Sequence, residues 1–173
     1  MVLETKRLYL RNLTIHDLDD IEWLLKEEDL SFTFRKEFES DEVKDWIQEN
    51  IELYPQSLGM KAIILKEDDS FIGIAGLVNK DLDNQSVLDL TCWLKKKYWK
   101  RGFALEACKG LLHQAFNVLD VEQVYSFVVL ENQPSKRLAK KLGMIPSQSI
   151  VSNVFGSNVS QEVFVLKRDN YYM

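Results

Sequence analysis

Three apolar runs in the middle of the chain leave few folds open. Met60–Leu65 (MKAIIL), Phe71–Val78 (FIGIAGLV) and Val87–Leu94 (VLDLTCWL) read as strands, separated by a turn at Glu67–Ser70 and the polar loop Asn79–Ser86. Links this short cannot carry a parallel crossover, so the three runs form an antiparallel meander. The next strand, Gln123–Leu130 (QVYSFVVL), comes only after a basic loop and a long apolar stripe at helical spacing: Ala104, Ala107, Cys108, Leu111, Leu112, Ala115, Phe116 and Leu119. A strand–helix–strand connection returns in the parallel sense. The spacing therefore predicts a mixed sheet with one parallel pair, Val87–Leu94 beside Gln123–Leu130.

The flanks supply the rest of an α+β domain. Lys6–Arg11 reads as a short strand, and Thr14 as a helix cap with Asp17 three residues on. Ser40, Asp41 and Glu42 open a second helix, which Pro55 ends. Pro134–Leu142 is a short helix with Gly143 as its stop. Ser149–Val154 and Glu162–Lys167 close the chain as two strands around the turn Phe155–Ser160. The order is β, α, α, β, β, β, α, β, α, β, β: about seven strands and four helices in one domain spanning residues 1–173.

Composition narrows the function classes. A chain of 173 residues with 46% hydrophobic and 28% charged residues is an ordinary globule needing no disulfide or metal staple. Its net charge of −5 argues against a general nucleic-acid binder. The opening MVLETKRLYLRN lacks the apolar core of a secretory signal, and no run approaches the ~20 apolar residues of a membrane helix. Cys92 and Cys108, the only cysteines, have neither zinc-site nor disulfide-framework spacing. A reducing, cytoplasmic setting is expected, with no metal, and as a monomer or a homodimer.

Against that acidic background, Lys95–Arg101 (KKKYWKR) stands out. A charge run at a strand end is usually only solvated surface. This one lies between a strand and a helix, and it ends at Gly102, followed by the small Ala104. A helix start offers unpaired N–H groups and a positive dipole end, and Gly102 permits close backbone approach. With Lys97, Lys100 and Arg101 added, these features describe a phosphate cradle. The two familiar nucleotide loops, G-x-x-x-x-G-K-[ST] and G-x-G-x-x-G, are absent.

Tyr98–Ala107 (YWKRGFALEA) resembles the signature loop of the GCN5-related N-acetyltransferases (GNAT), Q/R-x-x-G-x-G/A, with Gly102 and Ala104 at the small positions. Trp99 stands where most of that family has Gln or Arg. The Tyr-Trp form is similar to the ribosomal-protein N-terminal acetyltransferase branch (RimJ/RimL-type). Glu131–Met144 (ENQPSKRLAKKLGM) resembles the family's second motif, with Met144 for the usual Phe. The opening KRLYLRNLTIHDLDDI resembles that branch's start.

The resemblance implies acetyl-CoA as co-substrate and an amine acceptor. It implies that the parallel pair, the family's fourth and fifth strands, splays to admit the pantetheine arm. Backbone groups near Trp93 and Leu94 would hold the arm and polarise the acetyl carbonyl. The loop from Lys97 through Lys100, Arg101, Gly102, Phe103 and Ala104 to Leu105 would hold the phosphates. The tyrosine that many relatives use to protonate the thiolate is replaced by Ala139, and Ser135 matches the serine used in the ribosomal-protein branch. Ser135 could equally be a first-turn cap, and Asn132 either an N-cap or a coenzyme contact. Asp89 is the candidate base: alternation puts it on one face with Thr91 and Trp93, and burial would raise its pKa. An edge-exposed Asp89 without a catalytic role is the competing reading. His16 and His113 read as structural. The acceptor would lie between the Leu25–Glu42 segment, including the aromatic stretch Leu30–Phe38, and the C-terminal hairpin. It is a protein α-amine or a small-molecule amine such as a polyamine, amino sugar or antibiotic. A coenzyme-binding module without efficient catalysis remains a third reading.

Overall fold

The computed structural model describes residues 2–27, 37–154 and 156–171. Its strands are β1 Leu3–Glu4, β2 Leu8–Asn12, β3 Gly59–Leu65, β4 Phe71–Leu82, β5 Gln85–Leu94, β6 Gln123–Val129, β7 Ile145–Val154 and β8 Ser157–Lys167. Its α-helices are α1 Leu18–Leu25, α2 Ser40–Leu53, α3 Phe103–Asn117, α4 Gln133–Lys141 and the single turn α5 Arg168–Tyr171. The strands form one sheet in the order β1-β2-β3-β4-β5-β6-β8-β7. Every neighbouring pair is antiparallel except β5–β6.

The expected mixed sheet is present, with eight strands rather than seven. The extra one is Leu3–Glu4, whose two residues pair with Leu10 and Tyr9; so short a strand leaves no periodicity to read. The expected loop Asn79–Ser86 is instead the tip of a long β4–β5 hairpin, with Lys80 opposite Val87 and Leu82 opposite Gln85. Asp83 and Asn84 both take positive φ (53° and 62°), as a two-residue type I′ turn requires. The arms project beyond the core, so their residues are polar without being irregular.

Helices cover both faces of the sheet. On one, α3 buries Ala107, Leu111, Leu112, Ala115 and Phe116 against Leu8, Ile63, Ile72 and Leu90. On the other, α1 and α2 bury Ile21, Leu24, Val43 and Ile47 against Met60, Ala62, Ile64 and Ile74. All of β3 is buried, its alternate residues serving opposite cores, which is why its sequence is a continuous apolar run. Tyr54 fastens the end of α2 to the sheet: its hydroxyl accepts from Leu13 N–H (2.7 Å) and donates to Met60 O (2.6 Å). Burial pushes this phenol up to about 12.

Candidate active site

β5 and β6 share one register pair, Asp89 with Tyr125. β5 stays paired to β4 through Leu94, and β6 stays paired to β8 through Val129. The sheet therefore opens only in its middle. Two side chains mark where the opening starts. The Ser126 hydroxyl donates to Leu90 O (3.1 Å), and Phe127 N–H donates to Asp89 Oδ1 (3.3 Å). Beyond them lies a narrow cleft of about 60 Å³ between Leu90–Trp93 and Ser126–Val129, floored by Cys108 and α4. A gap between two strands that share a single register pair suits an extended, amide-bearing arm inserted like an extra strand. The Cys108 thiol is held well above its ordinary pKa by its hydrogen bond with Cys92 and by burial. It is neutral and not a nucleophile.

Asp89 is fully buried, not edge-exposed. Its carboxylate faces Lys80 Nζ (3.0 Å), accepts from the Thr91 hydroxyl (2.8 Å) and takes the Phe127 N–H. It lines neither the cleft nor the second cavity described below.

The basic loop divides into an anchoring part and an exposed part. Lys95 turns back to α1, pairing with Asp20 (2.6 Å) over the rings of Trp23 and Phe71. Lys96 N–H donates to Glu27 Oε2 (2.9 Å). Lys97, Lys100 and Arg101 remain exposed around the start of α3. Trp99 is a tether, its indole N–H donating to Leu94 O (2.8 Å). The chain enters the helix through two left-handed residues, Lys100 (φ 60°) and Gly102 (φ 80°), with Gly102 at the N-cap. Phe103 is 3% exposed and edge-on to Tyr98, so only its backbone is available to a ligand. Ala104 and Leu105 follow, half-buried, in the first turn.

α4 closes the cleft. Asn132 Oδ1 accepts Ser135 N–H (3.1 Å) as the helix N-cap, and both side chains also line the cleft. The two readings of Asn132 are compatible, because its amide nitrogen is not used by the cap. The Ala139 side chain lines the same wall, with no phenol there. His16 and His113 are exposed and outside the cleft.

A second cavity, of about 250 Å³, lies on the α1–α2 side. Its floor is Trp46 and Trp93, stacked with centroids 6.5 Å apart, beside Leu25, Phe38 and Val43. Glu42, Asp45 and Glu49 rise from α2 at its rim. Trp93 also lines the cleft, so one residue separates the two spaces. The expected wall at Leu25–Glu42 contributes both its ends, while residues 28–36 of that segment, most of the Leu30–Phe38 stretch, lie outside the described residues. Among the described residues the cavity is lined from the α1–α2 side and β5, and Val154 of the C-terminal hairpin packs on the same apolar cluster as Leu25, Phe38, Trp46 and Trp93. Glu42 is legible in the sequence as a first-turn acid, but nothing there separates the face it shares with Asp45, Trp46 and Glu49, at i, i+3, i+4 and i+7, from ordinary helix surface.

The sequence model of the acetyltransferase (GNAT) domain matches residues 7–145. The Bacillus subtilis protein YkkB is 29% identical over 106 residues, a match covering 61% of this chain and 60% of that protein. The chain thus spans about three fifths of the length of that relative. Among solved structures, spermidine N-acetyltransferase from Vibrio cholerae, in complex with CoA and spermine, superposes with a TM-score of 0.78 at 19% identity, covering 98% of this chain and 100% of that one. RimL, a ribosomal L7/L12 alpha-N-protein acetyltransferase in complex with coenzyme A, gives 0.77 at 13% identity, covering 98% and 99%. At such identities the likeness is one of fold alone. Among the described residues no helix is long and apolar enough to cross a membrane, and no group of acidic, His or Cys side chains could hold a metal.

Proposed function

The chain belongs to the GNAT family of acetyltransferases, an acyltransferase enzyme by that kinship, and from this premise we propose that it moves the acetyl group of acetyl-CoA to a cationic primary amine by direct attack. The observation that carries the proposal is Trp93, the shared wall between the β5–β6 cleft and the acidic, tryptophan-floored cavity. A donor arm in the cleft and an amine in the cavity would meet at that residue.

Each part of the protein then has a task. Loop amides from Lys97 to Leu105, with the exposed Lys97, Lys100 and Arg101, would hold the phosphates. The backbone around Trp93 and Leu94 would hold the arm and polarise the carbonyl. The Trp46–Trp93 pair and the α2 carboxylates would attract an ammonium group. Once the ammonium has shed one proton to water, its lone pair forms the C–N bond as the C–S bond breaks, and the nitrogen then gives its second proton to water. Ser135 would donate its hydroxyl proton to the departing thiolate and regain one from solvent. Asp89, held by three donors and outside both cavities, would fix the point where the strands part, with the amine protons leaving through water. This assigns Asp89 to positioning rather than to proton abstraction.

The cavity's size and acidic rim favour a small cationic amine. A protein α-amine is the second reading, supported by the RimJ/RimL-type form of Tyr98–Ala107 and by the structural likeness to RimL. Thiol release from acetyl-CoA, measured with a panel of polyamines, amino sugars and N-terminal peptides, separates them. We expect release with polyamine-like amines, diminished in Ser135→Ala by about 10²-fold in kcat. Release with peptides alone would favour the second reading. No release with any amine, while acetyl-CoA still binds, would make the protein a coenzyme-binding module.

A further inference from the structure

We propose that Arg7 is a positioning residue for the phosphate loop, acting through the peptide between Arg101 and Gly102. The inference rests on reading that loop as the holder of the coenzyme's phosphates. Arg7 lies in the turn between β1 and β2, remote in sequence from the loop and adjacent in space.

Its guanidinium reaches two places at once. Nε pairs with Glu106 Oε2 (2.6 Å) in the first turn of α3, and Nη1 donates to Arg101 O (3.0 Å). The group also lies 4.4 Å from the Phe103 ring centroid. The carbonyl of residue 101 and the N–H of Gly102 belong to one planar trans peptide and point in opposite directions. Holding Arg101 O against Arg7 therefore aims the Gly102 N–H away from Arg7. Gly102, at a left-handed φ of 80°, has no Cβ to restrict its backbone, and an external hold replaces the missing steric one.

The support behind Arg7 is itself fixed. Glu106 Oε1 accepts from the Thr5 hydroxyl (2.7 Å) and from Arg7 N–H (2.7 Å). Burial alone would raise the Glu106 pKa, but these hydrogen bonds and the Arg7 charge hold it below its ordinary value. On the other side Lys66 N–H donates to Arg7 O (2.9 Å), and Lys66 Nζ donates to Thr5 O (2.8 Å). α3 admits the turn because Gly110 has no side chain: a Cβ there would lie 2.7 Å from Leu3 Cδ2 and 3.2 Å from Thr5 Cγ2. A glycine inside a helix lowers its stability, and here it gives the N-terminal turn its seat on α3.

The test uses the whole chain, coenzyme A as probe, and two readouts: the dissociation constant by calorimetry and the Gly102 amide signal in 1H–15N spectra. In the wild type, coenzyme A should shift the Gly102 signal. In Arg7→Gln the dissociation constant should rise about tenfold, the scale of one lost charged hydrogen bond, with a smaller Gly102 shift at saturation. Arg7→Lys keeps a charge for Glu106 but lacks the second arm to Arg101 O; it carries the same expectation should Arg7→Gln fail to fold. If the wild-type Gly102 signal moves and the variants match it in both affinity and shift, the positioning role is wrong. If coenzyme A leaves the wild-type Gly102 signal unmoved, the phosphate-loop reading fails first, and the role of Arg7 falls with it.

Discussion

Asp89 stands at the one register pair of β5 and β6, and its three donors come from three directions: Lys80 on β4, Thr91 on its own strand and the Phe127 N–H across the gap. Asp89→Asn keeps an acceptor for Phe127 and removes the charge opposite Lys80. As a positioning residue, the variant should bind acetyl-CoA more weakly and keep the acid-side limb of the kcat–pH profile, where activity rises with pH. If Asp89 were the base, kcat would fall by about 10²–10⁴-fold and that limb would vanish. Part of this arrangement is legible beforehand, because alternation puts Asp89, Thr91 and Trp93 on one face. The ion pair is not, because Lys80 falls in a polar stretch indistinguishable by composition from a loop. Trp93 was legible only as a backbone contact. Its stacking on Trp46 joins residues far apart in sequence and follows from tertiary packing alone.

At the scale of elements, the entry to α1 shows how a cap becomes a stability switch. Asp17 accepts Thr14 N–H (2.8 Å) and both arms of Arg11 (2.9 and 2.7 Å). Burial would raise its pKa, but the Arg11 hydrogen bonds and the Thr14 N–H hold it below the ordinary 3.8. The unfolded chain therefore binds a proton more readily than the native one. The stability that Asp17 contributes is complete above the unfolded value and is lost as pH falls through the folded one. Asp17→Asn should lower stability by about 1–3 kcal/mol at pH 7. Thermal melts from pH 7 to below pH 3 should show the gap between the two proteins closing at the acid end; a gap constant with pH would contradict the assignment. Thr14 and Asp17 were readable as a cap, whereas the fork from Arg11 depends on how β2 meets the helix. The same limit applies to the basic run. Its charge was plain, but the diversion of Lys95 to Asp20 and of Lys96 to Glu27 depends on how α1 packs beside the loop.

Across the whole molecule, link lengths determined most of the topology. Short links made the β3–β4–β5 meander, and the one long loop-and-helix link made the parallel pair that opens. What they could not supply was the opening itself, since a splay is a departure from ideal pairing, marked here by the hydrogen bonds of Asp89 and Ser126. Nor could they reveal that the N-terminal turn is bonded to the first turn of α3 beside the basic loop, a contact spanning about a hundred residues of sequence. On the proposed function, the donor thioester would lie in that opening and its phosphates on the basic loop. The most direct test is the melting temperature of the wild-type protein with and without acetyl-CoA. At about 100 times the dissociation constant, linkage predicts stabilisation of about 2.7 kcal/mol, a rise of about 5–10 °C for a chain of this size. An unchanged melting temperature at millimolar acetyl-CoA would contradict it.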